Sequence, residues 1–374
     1  MKRAKLIYGV PDLNPDLYYI TRLKMGDPTT CLVANGKSYL FIGGFEYPRA
    51  YREAHVDKVV NCDIYVERAK KKFGKSTMLN TLDLFLKDLK VKELEMPQES
   101  SFYLVDCLRK SGFKVIAGDK PFFQERLVKS AEEVREITRL QKLNFAAMDL
   151  AREMLKKSRI KGDKLFLRGK ILTSEMVRDA IDTFLFEKGC LATSTIVACG
   201  KQGIDPHERG KGPLRPHQSI IIDIFPQSKE SRYCADATRT FCKGRPTDAL
   251  IRMYDVVKKG QELGLSKIKA GVNGKVVHEA ICKYFERKGY KLKVLKHRNE
   301  GFIHGTGHGL GLEVHEEPVR IATVDCKIKK GFVVTVEPGL YYSDIGGVRI
   351  EDLVYVTSSG CDVLGKYPKN LIVS

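Results

Sequence analysis

The sequence has no long apolar run, no closely paired cysteines and no low-complexity tract. Without an uninterrupted apolar stretch of roughly 18 residues, a membrane-spanning helix is not expected. The ten cysteines form no C-x-x-C pair, which argues against a zinc ribbon or a thioredoxin-type motif. A disulfide-stapled fold is not expected in a chain of 374 residues, and most cysteines are predicted to be small buried hydrophobic residues.

The first residues also lack the apolar core of a signal peptide. The segment Met1-Lys2-Arg3-Ala4-Lys5 is basic, but polar residues follow it closely, among them Asp12 and Asp16. A secretory signal needs an apolar stretch at this position. We therefore expect a cytoplasmic protein with no membrane association.

The one unusual bulk property is the formal charge of +19. Such a charge suits nucleic-acid binding, because phosphates attract basic surfaces. However, the basic residues look scattered along the sequence: runs such as 70–72 and 327–330 are short, and no long basic arm is present. A solvated, lysine-rich surface is the preferred interpretation, and nucleic acid is not expected as a partner.

Residues 1–127 are predicted to form a small α/β domain. Apolar runs at 31–34 and 39–42 flank Asn35-Gly36, which is a strong signal for a two-residue hairpin turn. The length of the whole chain is sufficient for this domain and a larger second one. The pattern further predicts helices at 78–90 and 99–112 and a strand at 115–119.

Residues 128–374 are predicted to form the second domain. It begins with a helix over 131–157, because Ser130 and Glu133 have the spacing of a capping box and apolar residues follow at helical intervals. Helices alternating with paired strands predict a mixed, largely antiparallel sheet backed by helices. The further elements expected are helices at 174–188, 247–264 and 275–288 and strands at 220–225 and 331–336.

Four acidic residues and one histidine lie in contexts that predict chemistry. Asp223, Asp236, Glu337 and Glu351 lie in or beside apolar, strand-like runs, and His308 lies in a glycine-rich stretch. A single such acid is best explained as a solvated strand end. Burying one carboxylate costs several kcal/mol unless it is paired or bound to metal. Five of these groups in one cleft would suit two divalent cations.

Five motifs surround these residues: D-x-F-P, D-x-T-R-T-F, H-G-T-G-H-G-L-G-L-E-V-H-E, V-E-P-G-L-Y and V-R-I-E-D. Together they resemble the motifs of the creatinase/aminopeptidase, or pita-bread, metallopeptidases. The resemblance covers residues 130–374, and within this family the chain is most similar to the Xaa-Pro aminopeptidases and the Xaa-Pro dipeptidases (prolidases). The resemblance implies an α+β fold, in which a C-terminal pita-bread domain follows a smaller α/β, creatinase-like N-terminal domain.

The resemblance also implies a role for each of the five residues. Asp236 and Glu351 would bridge two divalent metal ions, Asp223 would complete one metal site, and His308 with Glu337 would complete the other. Glu337 would also act as the general base. Mn²⁺ is the expected metal, with Co²⁺ or Zn²⁺ as alternatives, because oxygen-rich sites accept several divalent ions.

Further residues match the family's substrate-binding positions. The resemblance implies that His207 and His315 bind the substrate carbonyl and take part in catalysis, that His304 lines the proline subsite, and that Arg349 orients a ligand carboxylate. The expected substrate is a proline-containing peptide, and a homodimer is expected from the two-domain relatives. The remaining histidines are expected to be solvated: His55, His217, His278 and His297.

The chain departs from the family pattern at one place. Asp223 and Asp236 are thirteen residues apart, which is two more than the common family spacing. Residues 226–231 resemble a hairpin tip, and an even insertion there would keep both aspartates on one face. Phe225 also replaces the usual glycine and is expected to narrow the cleft locally.

Two alternative functions compete with the peptidase. One is a catalytically silent homologue that binds nucleic acid or protein, which the net charge would suit. The other is a creatinase-type enzyme that hydrolyses a small substrate without metal. The presence of all five ligand residues argues against both alternatives.

Overall fold

The computed structural model describes residues 3–374, so the first two residues of the predicted basic N-terminus and of the predicted domain 1–127 lie outside it. The chain divides into two compact units, Met1–Arg126 and Leu127–Ser374. The domain boundary at 127/128 stays a prediction. Within residues 3–374, no helix has both the length and the apolar character needed to cross a membrane.

The first unit contains one six-stranded sheet. Asn35 and Gly36 join its second and third strands with φ values of 54° and 71°, so the predicted hairpin turn is confirmed. Its strands are β1 (Arg3–Gly9), β2 (Thr29–Ala34), β3 (Lys37–Ile42), β4 (Lys58–Asn61), β5 (Glu93–Met96) and β6 (Lys114–Ala117), and its helices are α1 (Pro15–Thr21), α2 (Tyr47–Glu53), α3 (Asp63–Phe73), α4 (Met78–Asp88) and α5 (Phe102–Lys110).

The strand order of this sheet is β4-β3-β2-β1-β5-β6. The β1–β2 and β2–β3 pairs are antiparallel, and the three outer pairs are parallel. Apolar side chains of α4 and α5 pack against the sheet, with Leu32, Leu94 and Phe85 among the buried residues. The two predicted helices and the strand at 115–119 are confirmed, each to within a few residues.

The second unit contains four helices and eighteen strands among the described residues. The helices are α6 (Ala131–Lys157), α7 (Ser174–Glu187), α8 (Asp248–Lys267) and α9 (Gly274–Arg287). The first nine strands are β7 (Arg159–Lys161), β8 (Lys164–Leu167), β9 (Lys170–Ile171), β10 (Cys190–Leu191), β11 (Ile196–Cys199), β12 (Ile220–Ile224), β13 (Gln227–Ser228), β14 (Ala237–Lys243) and β15 (Lys293–Val294). The other nine are β16 (Asn299–Glu300), β17 (Gly307–Gly309), β18 (Glu316–Ile321), β19 (Val333–Val336), β20 (Gly339–Tyr342), β21 (Gly346–Arg349), β22 (Asp352–Val356), β23 (Cys361–Val363) and β24 (Ile372–Val373).

These strands form several sheets rather than the single sheet that the sequence predicts. A four-stranded sheet has the order β11-β12-β14-β24, and a five-stranded sheet has the order β18-β17-β19-β22-β23. The pairs in both are antiparallel except β14–β24, which is parallel. The largely antiparallel character is therefore confirmed, while the continuity of the sheet was predicted wrongly.

The helix α6 begins and ends where the sequence predicts. The Ser130 side chain accepts a hydrogen bond from the Glu133 backbone, and the Glu133 side chain accepts one from the Ser130 backbone. This capping box satisfies amide groups that would otherwise lack partners at the helix start. The other three helices of the unit also match their predicted ranges, although α8 continues to Lys267.

The cysteines of residues 3–374 are all free thiols. Five are buried and five are half-buried, so the prediction of small buried residues holds for half of them. Burial raises the pKa of the Cys31 thiol to about 12, which keeps it protonated at neutral pH.

Some basic residues of the second unit that lie far apart in the sequence come together in the fold. Residues 156–170 carry seven cations, and the fold places residues 211–217 and 243–245 beside them. The Leu165 amide donates to the Leu214 carbonyl at 3.0 Å, and Lys243 Nζ donates to the Lys156 carbonyl at 2.9 Å. Sequence inspection misses this cluster because its segments are separated by up to ninety residues.

Candidate metal centre

The β12–β14 hairpin brings the two predicted aspartate ligands onto one face. Asp223 pairs directly with Thr238 across the strands, and Asp236 precedes Thr238 by two residues. Because side chains alternate along a strand, Asp223, Thr238 and Asp236 face the same way. The two additional residues between Asp223 and Asp236 therefore leave both aspartates on one face, as predicted.

The other predicted ligands come from neighbouring strands of the five-stranded sheet. His308 lies on β17, and Glu337 follows β19 directly. The His308 amide donates to Thr335 Oγ1 at 3.1 Å, and the Glu337 amide donates to the Thr306 carbonyl at 2.7 Å. His308 Nε2 lies 3.4 Å from Glu337 Oε1 and 3.7 Å from Asp236 Oδ2.

Glu351 completes the group from the segment between β21 and β22. Its amide donates to the Thr238 carbonyl at 3.1 Å, and Thr238 Oγ1 donates to Glu351 Oε2 at 2.8 Å. Asp236, His308 and Glu351 each offer one ligand atom, and these three atoms lie within 4.8 Å of one another. All three residues are buried.

Burial disfavours the charged forms of these groups and shifts their pKa values. It raises the pKa of Asp236 and of Glu351 well above their ordinary values, and the neighbouring carboxylates add to both increases. Burial also raises the pKa of Glu337 to about 8, with Arg349 opposing and Asp223 reinforcing the shift. The pKa of His308 falls to about 3, so its imidazole is neutral and can bind a metal through a ring nitrogen.

The donor set fits divalent cations. Within residues 3–374, the buried oxygens Asp223 Oδ1 and Asp236 Oδ1 have no hydrogen-bond partner. Converging buried carboxylates of this kind need either protons or cations for stability. Carboxylate oxygens beside a neutral imidazole are ligands that Mn²⁺, Co²⁺ and Zn²⁺ accept.

Arg349 supports this cluster through a chain of hydrogen bonds. Its Nη2 donates to Asp223 Oδ2 at 2.7 Å, and its Nη1 donates to the Tyr341 hydroxyl at 2.9 Å. The Tyr341 hydroxyl also lies 2.9 Å from His304 Nε2. Sequence reasoning missed Tyr341, although it stands in the V-E-P-G-L-Y motif. Burial lowers the pKa of His304 to about 3, so its ring is neutral.

All the predicted site residues line one cavity of about 800 Å³. His315 and His207 are exposed at its edge, and the His315 ring meets the His308 ring edge-on with centroids 4.3 Å apart. Phe225 also lines the cavity, and the narrowing expected from its side chain stays a prediction. The predicted site residues on its wall are Asp223, Asp236, His308, Glu337, Glu351, His207, His304, His315 and Arg349.

One histidine prediction is wrong. His278 was expected to be solvated, but it is buried, with Nδ1 3.0 Å from Thr306 Oγ1 and Nε2 3.4 Å from Cys282 Sγ. It lies on the apolar face of α9, and a second cavity of about 450 Å³ begins there. The three other histidines expected to be solvated are exposed: His55, His217 and His297.

The helix α6 holds the aspartate hairpin through two side-chain amides that the sequence did not reveal. Gln141 Nε2 donates to the Asp236 carbonyl at 2.8 Å, and the Asp236 amide donates to Gln141 Oε1 at 3.2 Å. Asn144 Nδ2 donates to the Ile224 carbonyl at 2.6 Å. The Gln141 and Asn144 side chains are fully buried. In the sequence they could be noticed only as polar residues on a helix face that is otherwise apolar.

Two glycines allow close approach beside the site. A Cβ atom on Gly307 would lie 2.0 Å from the Thr335 carbonyl oxygen, and one on Gly311 would lie 2.4 Å from a Glu316 carboxylate oxygen. Real Cβ atoms essentially never come so close. The strand that carries His308 can therefore pack against β19 only because Gly307 has no side chain, and the Glu316 carboxylate can lie against Gly311 for the same reason.

The site and fold define a metal-dependent hydrolase of the pita-bread class. The sequence pattern of metallopeptidase family M24 matches residues 135–358. The chain therefore belongs to metallopeptidase family M24, which confirms the resemblance and the fold class predicted from the sequence.

Individual relatives agree with this assignment. The chain is 34% identical over 251 residues to the "Uncharacterized peptidase YqhT" of Bacillus subtilis, an alignment that covers 66% of this chain and 65% of that protein. It is 28% identical over 369 residues to the "Xaa-Pro dipeptidase" of Pyrococcus horikoshii, covering 96% and 92% of the two chains.

Solved structures have the same fold across both units. The X-Pro aminopeptidase of Thermotoga maritima aligns with a TM-score of 0.81 at 24% identity, covering 100% of this chain and 98% of that chain. The prolidase of Pyrococcus horikoshii aligns with a TM-score of 0.78 at 25% identity, covering 99% and 96%.

The raised pKa of Glu337 predicts that the metal-stripped protein loses stability as the pH rises. Between the ordinary value of 4.5 and about 8, the folded state holds a proton that the unfolded state has released, so unfolding becomes easier with increasing pH. We expect the melting temperature of the stripped wild type to fall, relative to that of Glu337→Gln, across this window. A constant difference between the two proteins would contradict this prediction. Calorimetry with a chelator present measures it.

Proposed function

We propose that the chain hydrolyses the Xaa-Pro bond at the N-terminus of peptides or in dipeptides. The observation that carries this proposal is the convergence of buried Asp236, His308 and Glu351 in one cavity with Asp223 and Glu337. These five residues would hold two divalent cations. Four carboxylates and one imidazole exceed what a single ion with an open position needs, which supports the count of two.

Bound cations would supply positive charge that polarises the substrate carbonyl and lowers the pKa of the attacking water. The chain's own groups would then complete the chemistry. A Glu337 carboxylate oxygen would accept the proton of that water and later pass it to the proline nitrogen of the leaving group. A neutral His308 ring and an Asp223 side chain fixed by Arg349 would keep the ligand atoms in place.

Two exposed histidines are placed to act on the substrate itself. His207 and His315 line the same cavity and would donate hydrogen bonds to the oxygen that becomes negative during attack. His304, oriented by Tyr341, would line the subsite for the proline ring. A proline nitrogen carries no hydrogen and its ring fixes the backbone, so a rigid pocket suits it.

The metal, the assembly and the location remain proposals of the same kind. Mn²⁺ is the metal we expect, with Co²⁺ and Zn²⁺ as alternatives. A homodimer and a cytoplasmic location are expected as before. The full set of ligand residues in one cavity argues against both the catalytically silent homologue and the metal-free creatinase-type enzyme.

Metal-dependent cleavage of matched peptides tests the proposal. The protein is stripped of metal, supplied with Mn²⁺, and given Ala-Pro and Ala-Pro-Ala beside the proline-free controls Ala-Ala and Ala-Ala-Ala. We expect alanine release from the proline substrates only, and only after metal is added. The faster proline substrate distinguishes a dipeptidase from an aminopeptidase. Equal cleavage of the controls would contradict the proline preference, and no cleavage with Mn²⁺, Co²⁺ or Zn²⁺ would contradict the peptidase.

A further inference from the structure

A concentrated basic surface lies on the second unit around the small sheet β7-β8-β9. We call it the basic face. Most of its cations are exposed, and Lys164 and Lys243 are half-buried. Its members are Lys156, Lys157, Arg159, Lys161, Lys164, Arg168, Lys170, Lys201, Lys211, Arg215, Lys243 and Arg245.

Hydrogen bonds join these residues into one surface. The Leu165–Leu214 and Lys243–Lys156 bonds connect three segments of the chain. In addition, the His217 amide donates to the Lys243 carbonyl at 2.8 Å, and the Arg245 amide donates to His217 Nδ1 at 2.9 Å. The cations are therefore held together by the fold.

Few acids neutralise the basic face. Arg215 forms an ion pair with Asp163, and Lys157 lies 3.7 Å from Glu153. Among residues 3–374, the other ten cations of the face form no ion pair. Like charges packed together in this way repel one another and gain free energy when a polyanion covers them.

Two concave sites on the basic face have linings without acidic residues. One, of about 400 Å³, is lined by Lys157, Arg159, Lys161 and Arg168 around the half-buried ring of Phe166. The other, of about 480 Å³, is lined by Lys201, Lys211 and Arg215 with two glutamines. Lys161 Nζ lies 5.4 Å from the centroid of the Phe166 ring.

We propose that the basic face binds a single-stranded nucleic acid. Its cations contact successive phosphates, and a base enters the smaller cavity and stacks on Phe166. Charged grooves with an aromatic platform are the way proteins bind single strands without reading sequence. This binding is separate from the proposed peptidase activity, because the basic face shares no residue with the catalytic cavity.

An anionic membrane fits the same surface less well. Membrane-binding surfaces combine cations with large apolar side chains that enter the lipid. The large hydrophobic residues exposed beside the basic face are few: Ile160 within 156–170, and Ile372 on β24, which pairs with the strand of Lys243. A lipid surface would also leave the two cavities, of about 400 and 480 Å³, unfilled.

Fluorescence anisotropy with the full chain tests the proposal. The probes are poly(U) RNA, poly(dT) DNA and a DNA duplex of equal length, titrated over a salt series, with phosphatidylserine vesicles as the membrane probe. We expect micromolar binding of the single strands at low salt, with a salt slope of about 0.7 for each phosphate contacted. A difference in affinity between the RNA strand and the DNA strand shows whether the 2′-hydroxyl contributes to binding.

Matched variants separate this surface from the overall charge. The triple variant Lys157→Gln, Arg159→Gln and Lys161→Gln is expected to weaken strand binding at least tenfold and to lower the slope by about 2. The control Lys70→Gln, Lys71→Gln and Lys72→Gln removes equal charge from α3 and should change the affinity less than twofold. Phe166→Leu should weaken single-strand binding more than duplex binding.

Several results would overturn the proposal. One is that the wild type binds no single strand at low salt, and another is that the two triple variants lose equal affinity for the strand. A third is that the wild type binds the duplex or the vesicles more tightly than the single strands. Peptidase activity and the melting temperature of each variant are measured alongside. Because the basic face lies outside the catalytic cavity, both should stay near the wild-type values, so a lost affinity cannot be attributed to unfolding.

Discussion

Asp236→Asn is expected to lower metal-dependent cleavage of Ala-Pro peptides by more than roughly 1,000-fold. Groups that hydrogen-bond to a metal ligand typically contribute about 10–100-fold each to activity, and a carboxylate that ligates two cations, as proposed for Asp236, should contribute more. The amide keeps the size of the carboxylate, and the backbone bonds to Gln141 do not involve the side chain. The loss therefore reports on charge and ligation rather than on shape. Steady-state kcat/KM at saturating Mn²⁺ measures it.

Stability provides the control for this variant. Burial raises the pKa of Asp236, so a neutral amide should not destabilise the metal-stripped protein, and its melting temperature should equal or exceed that of the wild type. Asp362→Asn makes the same change on β23, where Asp362 is exposed, and should keep full activity. Activity of Asp236→Asn within tenfold of the wild type would exclude Asp236 as a metal ligand.

Lys129→Met is expected to destabilise the protein by about 3–5 kcal/mol. Lys129 Nζ contacts Glu316 Oε2, and both side chains are almost completely buried. Removing one partner of a buried ion pair is costly, because the other charge stays in a low dielectric and loses that attraction. Glu316 also accepts a hydrogen bond from the Leu312 amide, and it is the neighbour of His315. We therefore expect lower activity as well as a lower urea midpoint.

Two comparison variants make this prediction specific. Lys110→Met breaks an exposed ion pair with Asp106 and should lower the urea midpoint far less than Lys129→Met does. The double variant Lys129→Met, Glu316→Leu removes both buried charges and should be more stable than Lys129→Met alone. If the double variant were less stable than the single one, the charge left behind by Lys129→Met would not be the cause of its instability.

Local patterns predicted the elements that lie in one continuous segment. The capping box at Ser130 and Glu133 located α6, and the Asn35-Gly36 pair located the β2–β3 hairpin. Strand alternation predicted the shared face of Asp223 and Asp236 across an insertion. Each of these needs only a period or a turn type, which the sequence carries directly.

Contacts between distant segments could not be predicted in the same way. Periodicity placed Gln141 on the buried face of α6, but it did not identify Asp236 as its partner. The Lys129–Glu316 pair joins residues 187 positions apart. The prediction that His278 is solvated failed because helix α9 places it against Thr306 of the H-G-T-G-H stretch. The sequence around a single histidine does not identify a contact of this kind.

Gly307 limits which sequence changes this fold can accept, whether by engineering or by evolution. Because any side chain there would strike the Thr335 carbonyl, this position beside His308 tolerates almost no change, although glycine itself offers no side chain to a substrate. New substrate preferences must therefore arise from other residues that line the cavity, such as Phe225, Ile303 and Val314. Libraries directed at those three positions should retain metal binding in most members, whereas libraries that include Gly307 should consist mainly of misfolded protein.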